Sequence, residues 1–211
     1  MSVWDERADA YRGSEEHRKG EDLDLIVEWA GGAETALDVA TGGGHVARRL
    51  REAGIQVVSC DPAPGMGPDV LCSAEDLPFA DASFDVVACR LAGHHFRDAQ
   101  AGMDEMARVA RGFVLVVDNL WMDEAGEKAN KLRDPSHVRN YTEDEWRELF
   151  DRAGLEVEEA RTMERAIRFE PWLERTGCTG KDAVRVRELL ADRIDDGLYR
   201  LERIALSGRK R

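Results

Sequence analysis

The chain has 211 residues, 43% of them hydrophobic and 35% charged, with a formal net charge of −13. That length carries one ordinary domain with a full core and an appendage, not two substantial enzyme domains. The acidic balance argues against a nucleic-acid backbone as partner, because phosphate binding needs a basic surface. No apolar run approaches the roughly 20 residues that span a bilayer, so membrane insertion is not expected.

The start, Met1-Ser2-Val3-Trp4-Asp5-Glu6, is polar and lacks a signal-peptide core, which predicts a cytoplasmic protein. Leu23, Ile26, Val27 and Ala30 then share one helical face, and Gly31-Gly32 stop that helix. Ala36 to Val39 reads as an apolar strand carrying Asp38 near its end. A glycine turn, Gly42-Gly43-Gly44, leads into a second helix with Val46, Ala47, Leu50 and Ala53 inward. Ile55 to Asp61 is a second strand ending in an acid, so strand, helix and strand form a parallel, right-handed βαβ unit.

After Asp61 the chain offers only Pro62-Ala63-Pro64-Gly65-Met66-Gly67-Pro68, too short and proline-rich for a crossover helix. The sheet face there is expected to be open, or covered by a partner or the N-terminal helix, leaving a poorly covered apolar patch. Val70-Leu71-Cys72 is a short third strand and Phe84 to Arg90 a fourth. A helix follows with Ala99, Met103, Met106, Ala107 and Ala110 inward, then the very apolar strand Phe113 to Asp118. Residues 121–140 are polar, with a turn at Asp134-Pro135, before Thr142-Glu143-Asp144-Glu145 makes a capping box. That box opens a helix with Trp146, Leu149, Phe150 and Ala153 inward. Leu155 to Met163 and Tyr199 to Leu206 read as two further strands, with helical stretches around Trp172 and at 181–192 inserted between them. Continuous apolar strands alternating with helices predict an α/β fold whose sheet is covered on both faces. Cys60, Cys72, Cys89 and Cys178 lack the C-x-x-C spacing of a structural zinc site, and no metal is expected.

Gly42-x-Gly44-x-x-Ala47, with Asp61 about 20 residues beyond the turn, fits a dinucleotide fingerprint. Taken alone, this signal leaves an NAD(P)-dependent oxidoreductase and a non-catalytic nucleotide binder open. The segment Ser73-Ala74-Glu75-Asp76-Leu77-Pro78-Phe79-Ala80-Asp81-Ala82-Ser83-Phe84-Asp85-Val86-Val87 is more specific. With Asp38-Val39-Ala40-Thr41-Gly42-Gly43-Gly44, it resembles the class I S-adenosylmethionine-dependent methyltransferases, in particular the small bacterial branch allied to UbiE and the type 11 enzymes. Cys89 to Phe96, Asp118-Asn119 and Leu132 to Tyr141 extend the resemblance over almost the whole chain.

The resemblance implies a single Rossmann-like domain over 1–211: N-terminal cap or lid helices at 1–34, a cofactor-binding core at 35–120, and an acceptor segment at 121–211. Its sheet would be mostly parallel and twisted, with an antiparallel C-terminal strand and a shortening after the second strand. The implied cofactor is S-adenosylmethionine. Gly42 and Gly44 would let its methionine part approach, Asp38 would reach its ammonium, and Asp61 would accept the ribose hydroxyls. Pro62 and Met66 would lie near the adenine, flanked by Ala74 and Glu75, with Arg90 near the methionine part and Tyr11 and His17 forming a lid. Ala40 replaces the family's first glycine, which is tolerated if that position keeps φ < 0.

Two regions are candidates for acceptor chemistry. His94 and His95 follow the fourth strand, on the edge where open α/β sheets bind ligands, and either could take a proton near neutral pH. Asp134-Pro135-Ser136-His137-Val138-Arg139 supplies His137 to position a hydroxyl and Arg139 to hold an acidic group, unless Asp134 and Arg139 simply pair. Asn119, Trp121 and Tyr141 complete the candidate acceptor residues. Arg90-Leu91-Ala92-Gly93 stands where amino-methylating enzymes carry Asn/Asp-Pro-Pro-Tyr/Phe, so the expected acceptor is a small molecule receiving methyl on carbon or oxygen. A homodimer is compatible with the sequence.

Overall fold

The computed structural model describes residues 3–211. Helices α1 (Val3–Arg12), α2 (Glu15–Arg18) and α3 (Glu21–Trp29) precede β1 (Thr35–Val39), α4 (His45–Glu52), β2 (Gln56–Asp61) and β3 (Val70–Leu71). There follow β4 (Phe84–Arg90), α5 (Ala99–Val109), β5 (Ala110–Asn119), α6 (Glu124–Arg133) and α7 (Glu143–Arg152). The chain ends with β6 (Leu155–Arg168), α8 (Phe169–Glu174), α9 (Gly180–Leu189), β7 (Ile194–Asp195) and β8 (Leu198–Lys210).

The main sheet runs in the order β3-β2-β1-β4-β5-β8-β6, with β7 paired on β8. Strands β1 to β5 are mutually parallel, and β8 lies antiparallel between β5 and β6. The order reverses between β1 and β4, the place where an open α/β sheet presents a crevice at its strand ends. Strand β6 is an edge, and its Glu156, Glu159 and Glu164 put charge on that edge, which discourages pairing with another chain.

Alternate strand residues face opposite layers. Leu37, Val87, Val114 and Val116 pack with Met103 and Met106 of α5 and Leu149 and Phe150 of α7. Ala36, Val86, Leu115 and Val117 pack with Leu23 and Ile26 of α3 and Val46 and Leu50 of α4. The capping box at α7 is complete: Thr142 Oγ1 accepts from Glu145 N at 3.2 Å, and Glu145 Oε2 accepts from Thr142 N at 2.9 Å. A third cluster joins α6, α8 and α9 to Ile167 of β6 and to Tyr199 and Leu201 of β8.

The structure departs from the sequence reading at three places, the first an element that reading did not foresee. The polar stretch after β5 contains α6, which shows no apolar stripe because its buried residues are only Gly126 and Ala129; Asp123 caps it by accepting from Gly126 N at 2.8 Å. Strands β6 and β8 outrun their apolar segments because they pair continuously with each other from Leu155–Lys210 to Arg168–Leu198. The sheet face beyond β2 does not carry a broad apolar patch. Ala74, Leu77 and Phe79, on the helix-free segment before β4, pack against Val58, Cys60 and Val70, leaving Leu71 as the exposed large residue there, at 59%.

Candidate functional site

The glycine turn follows from the two acids beside it. Asp38 Oδ2 accepts from Thr41 Oγ1 at 2.5 Å and from Ala47 N at 2.9 Å, so a strand carboxylate caps an otherwise unpaired N–H in the first turn of α4. Asp61 accepts from Gly42 N at 3.0 Å and Ala63 N at 2.9 Å, one on each oxygen, which leaves acceptor sites on both. Gly42 takes φ 51°, where a side chain is strained. Ala40 does not keep φ < 0. It sits at φ 52°, because the chain must turn back beneath β2 for Thr41 N to reach Cys60 O at 2.9 Å. Burial, reinforced by the charge of Asp61, pushes the Asp38 carboxyl up to about 6. Asp61 is raised for the same first reason.

These groups line a cavity of about 420 Å³. Of the residues expected at the cofactor, Asp38, Ala40, Gly42, Asp61, Pro62, Met66, Ala74, Glu75, Arg90, Tyr11 and His17 all face it. Gly44 does not. It stands back as the left-handed N-cap of α4. The cavity also takes in Trp4, His45, Leu91, Phe96 and Arg97, which sequence reasoning did not single out. Leu91 is left-handed at φ 55°, so two strained non-glycine residues, Ala40 and Leu91, flank one cavity, as functional sites often show.

Helix α1 covers the cavity. The Tyr11 carbonyl lies 2.9 Å from His45 Nε2, Gly65 N donates to Asp5 Oδ1 at 2.6 Å, and Arg12 Nη1 donates to Gly65 O at 2.8 Å. Two glycines permit this approach: a Cβ at Gly43 would stand 2.9 Å from Tyr11 O, and one at Gly65 would stand 2.7 Å from Asp5 Cα. Trp4 meets Tyr11 and His95 edge to face, with ring centroids 5.7 and 4.8 Å apart. At its far side α1 is tied by Arg7, which donates to Asp134 Oδ1 at 3.0 Å and to Thr176 O at 2.6 Å. The next segment is fixed from below: Arg90 donates through Nη1 to His17 O at 2.9 Å and through Nε to Asp22 Oδ2 at 2.7 Å. Asp22 is wholly buried and also faces Arg203 at 3.4 Å. Burial pushes its carboxyl up, but the two guanidiniums outweigh that and hold it below the usual range.

Three histidines stand at and behind one wall of the cavity. The ring centroids of His94 and His95 are 4.1 Å apart, and those of His94 and His137 are 5.4 Å apart. His94 Nδ1 lies 2.5 Å from Oδ1 of the buried Asp118, whose other oxygen accepts from His94 N at 2.9 Å. Burial raises the Asp118 carboxyl, yet the charge and hydrogen bonds of His94 prevail and leave it lowered. The Asp118 carboxylate thus engages the Nδ1 edge of the His94 ring, and Nε2 makes no hydrogen bond among the described residues. His95 is oriented differently, by the Ser136 carbonyl at 3.0 Å, and burial beside His94 pushes it down to about 3. His137 contacts Glu127 at 3.1 Å and is pushed down to about 4, again by burial first. Both are therefore neutral at pH 7.

Behind His94 and His95 lies a recess of about 30 Å³, and His95 forms a wall common to both spaces. Asn119 and His137 line this recess, as do Arg133, Asn140, Trp172 and Tyr199, which sequence reasoning had not placed there. Trp121, Arg139 and Tyr141 line neither space. Arg139 pairs with Glu145 at 2.5 Å and stacks on Tyr141 at 4.6 Å, because the capping-box glutamate offers it a nearer partner than the recess. Trp121 is held by its backbone, its N donating to Tyr141 O at 2.9 Å. Nor do Asp134 and Arg139 pair, since Asp134 is engaged by Arg7 and Ser136.

Comparison with known proteins fits this geometry. Residues 37–115 match the model of a family described as methyltransferase domain. The uncharacterized methyltransferase YcgJ of Bacillus subtilis is 32% identical over 195 residues, covering 81% of this chain and 77% of that protein. Its crystal structure superposes with a TM-score of 0.81, covering 90% of this chain and 98% of that one, at 27% identity. A putative methyltransferase from Bacillus halodurans gives a TM-score of 0.78 at 30% identity, covering 90% of this chain and 99% of that one. A demethylmenaquinone methyltransferase from Beutenbergia cavernae is 41% identical over 88 residues, 37% of each chain.

Fold and site thus define a class I S-adenosylmethionine-dependent methyltransferase. Within that class the chain belongs to the UbiE/type 11 family, alongside YcgJ. Membership removes the dehydrogenase reading that the glycine turn alone had left open. The residues present fit an adenosyl sulfonium ligand: a cavity of about 420 Å³ is of the right size for a nucleoside cofactor, and its acids Asp38 and Asp61 suit positive and hydroxyl groups.

Proposed function

We propose that this protein transfers the methyl group of S-adenosylmethionine to oxygen or carbon of a small-molecule acceptor, with His94 as the general base. The observation that carries this reading is the Asp118–His94 pair at 2.5 Å beside the recess, next to a cavity suited to the cofactor. When bound, the sulfonium supplies an activated methyl, so what remains for the protein is alignment, exclusion of water and removal of one acceptor proton. Alignment alone can lower such a barrier by about 7–11 kcal/mol.

Asp61 and the backbone around Gly42 would hold the ribose of the bound cofactor, and Asp38 would hold its ammonium. Helix α1 with Trp4 and Tyr11 keeps water away. His94 Nε2 takes the proton of a hydroxyl or an acidic carbon, and Asp118 stabilises the imidazolium that results. His95 and His137 stay neutral and shape the site. The net charge of −13 supports a small molecule over nucleic acid as acceptor.

The test is turnover on a panel of phenols, catechols and 1,3-dicarbonyl compounds, for wild type and His94→Gln. With any acceptor that reacts, His94→Gln should lower kcat by about 10²–10⁴-fold while leaving the affinity for S-adenosylhomocysteine unchanged. A kcat within a few-fold of wild type would refute the role of His94.

A further inference from the structure

The recess contains a cation that the methyl-transfer chemistry does not use. Arg133 ends α6, and its Nε donates to Trp172 O at 3.0 Å while its guanidinium lies 4.2 Å from the centre of the Trp172 ring. That arrangement holds the guanidinium plane and leaves the Nη edge without a hydrogen bond among the described residues. No carboxylate of the described residues lies within ion-pair distance of Arg133, although the chain is rich in acids.

The surrounding charges sharpen the point. Arg7, Arg133 and Arg175 share the field around the Tyr11 hydroxyl with one acid, Asp134. Asp134 is engaged through Oδ1 by Arg7 at 3.0 Å and by Ser136 Oγ at 2.6 Å, and it acts on Arg133 only from beyond ion-pair distance. Arg175 has no ion pair among the described residues either, and Glu16 acts on it only from a distance. Of the histidines beside Arg133, His95 and His137 add no charge at neutral pH, since burial keeps them deprotonated. Burial also holds the guanidiniums of Arg133 and Arg175 below their ordinary range, a penalty that a bound anion would relieve.

We propose that the methyl acceptor carries a carboxylate, seated on the free Nη edge of Arg133 in the recess behind His94 and His95, with the Asn119 amide as a second donor. Asn119 Oδ1 accepts from Arg203 Nε at 3.1 Å, which leaves its NH2 available. The recess is small, about 30 Å³, which favours a compact planar oxyanion such as a carboxylate over a bulkier tetrahedral one. A planar, stacked guanidinium suits such a two-pronged partner. The anion fixes the acceptor at one end, so that its nucleophilic atom lies by His94. This inference rests on the methyl-transfer reading and adds the substrate class to it.

The experiment is a titration of the S-adenosylhomocysteine-saturated protein with benzoate, benzamide and phenyl phosphate, followed by NMR, including the Arg133 Nε resonance. Benzoate should bind at least tenfold more tightly than neutral benzamide and shift the Arg133 signal. Arg133→Gln should abolish that preference while S-adenosylhomocysteine binds within twofold of wild type, and Arg133→Lys should keep part of it. Equal binding of benzoate and benzamide, a preference surviving in Arg133→Gln, or phenyl phosphate outcompeting benzoate would each overturn the proposal. The wild-type shift of Arg133 decides the matter even if a variant fails to fold. Failure of wild type to bind S-adenosylhomocysteine at all would instead remove the methyl-transfer reading, and this inference with it.

Discussion

Protonating Asp38 offers the sharpest test of how the cavity holds its ligand. Burial, with the charge of Asp61 nearby, pushes this carboxyl up to about 6. In the apo protein the raised value means the folded state takes up a proton more readily than the unfolded chain. Stability from this group is therefore full below about 4 and is lost as the pH rises through about 6. A cationic ligand reverses that preference, because the ammonium of S-adenosylhomocysteine favours the ionised carboxylate. At pH 7.5 Asp38 is almost wholly ionised, and at pH 5 only about one site in eleven is, so affinity should fall roughly tenfold. Calorimetric titration of S-adenosylhomocysteine at pH 7.5, 6 and 5 reads this directly, with proton uptake or release checked in two buffers of different ionisation enthalpy. Asp38→Asn should bind weakly at pH 7.5 and lose most of the pH dependence. The neighbouring histidines do not imitate the effect, since burial first, and arginine charges after it, hold His17 well below its usual range. A wild-type affinity that does not change between pH 7.5 and 5, or a variant as pH-sensitive as wild type, would refute the assignment.

Other substitutions probe the frame. Asp61→Ala removes a charged acceptor and should weaken S-adenosylhomocysteine by about 10–100-fold for each ribose hydrogen bond lost, at about 1.5–3 kcal/mol apiece; an unchanged affinity would mean the ribose side is misplaced. Asp22→Ala leaves Arg90 and Arg203 buried without their carboxylate and should destabilise the fold by about 3–5 kcal/mol in urea melts, whereas a loss under 1 kcal/mol would show that water enters that cluster. Ala40→Gly relieves a left-handed alanine worth about 1–2 kcal/mol against about 0.4–1 kcal/mol of added chain entropy, so Tm should rise by a few degrees; a fall in Tm would contradict the strain.

The βαβ unit and its acids were legible because the signals are local. A strand ending in Asp38, three glycines and a second strand ending in Asp61 occupy consecutive residues. The exposed patch expected after β2 was misjudged because coverage need not be helical, and Ala74, Leu77 and Phe79 do the work from an irregular segment. The recess was not legible, since Asn119, Arg133, His137, Trp172 and Tyr199 come from β5, α6, its following loop, α8 and β8. No spacing along the chain signals that convergence. Some of it had a readable trace: Asp123 before α6 and Lys131 and Arg133 at its end are ordinary helix-start and helix-stop signals, masked by the lack of large apolar residues. Arg139 misled for the opposite reason. Its sequence neighbourhood was polar, but the capping box gave it a surface partner in Glu145.

The central claim is that this fold moves a methyl group to a small molecule. Incubating the protein with methyl-tritiated S-adenosylmethionine and a metabolite extract, then separating small molecules from macromolecules, tests it in one step. The account predicts label in the small-molecule fraction, away from the donor, with wild type and with Arg139→Gln, and its near loss with Asp61→Ala. Label that stays wholly on the donor, or that passes to the macromolecular fraction, would contradict it.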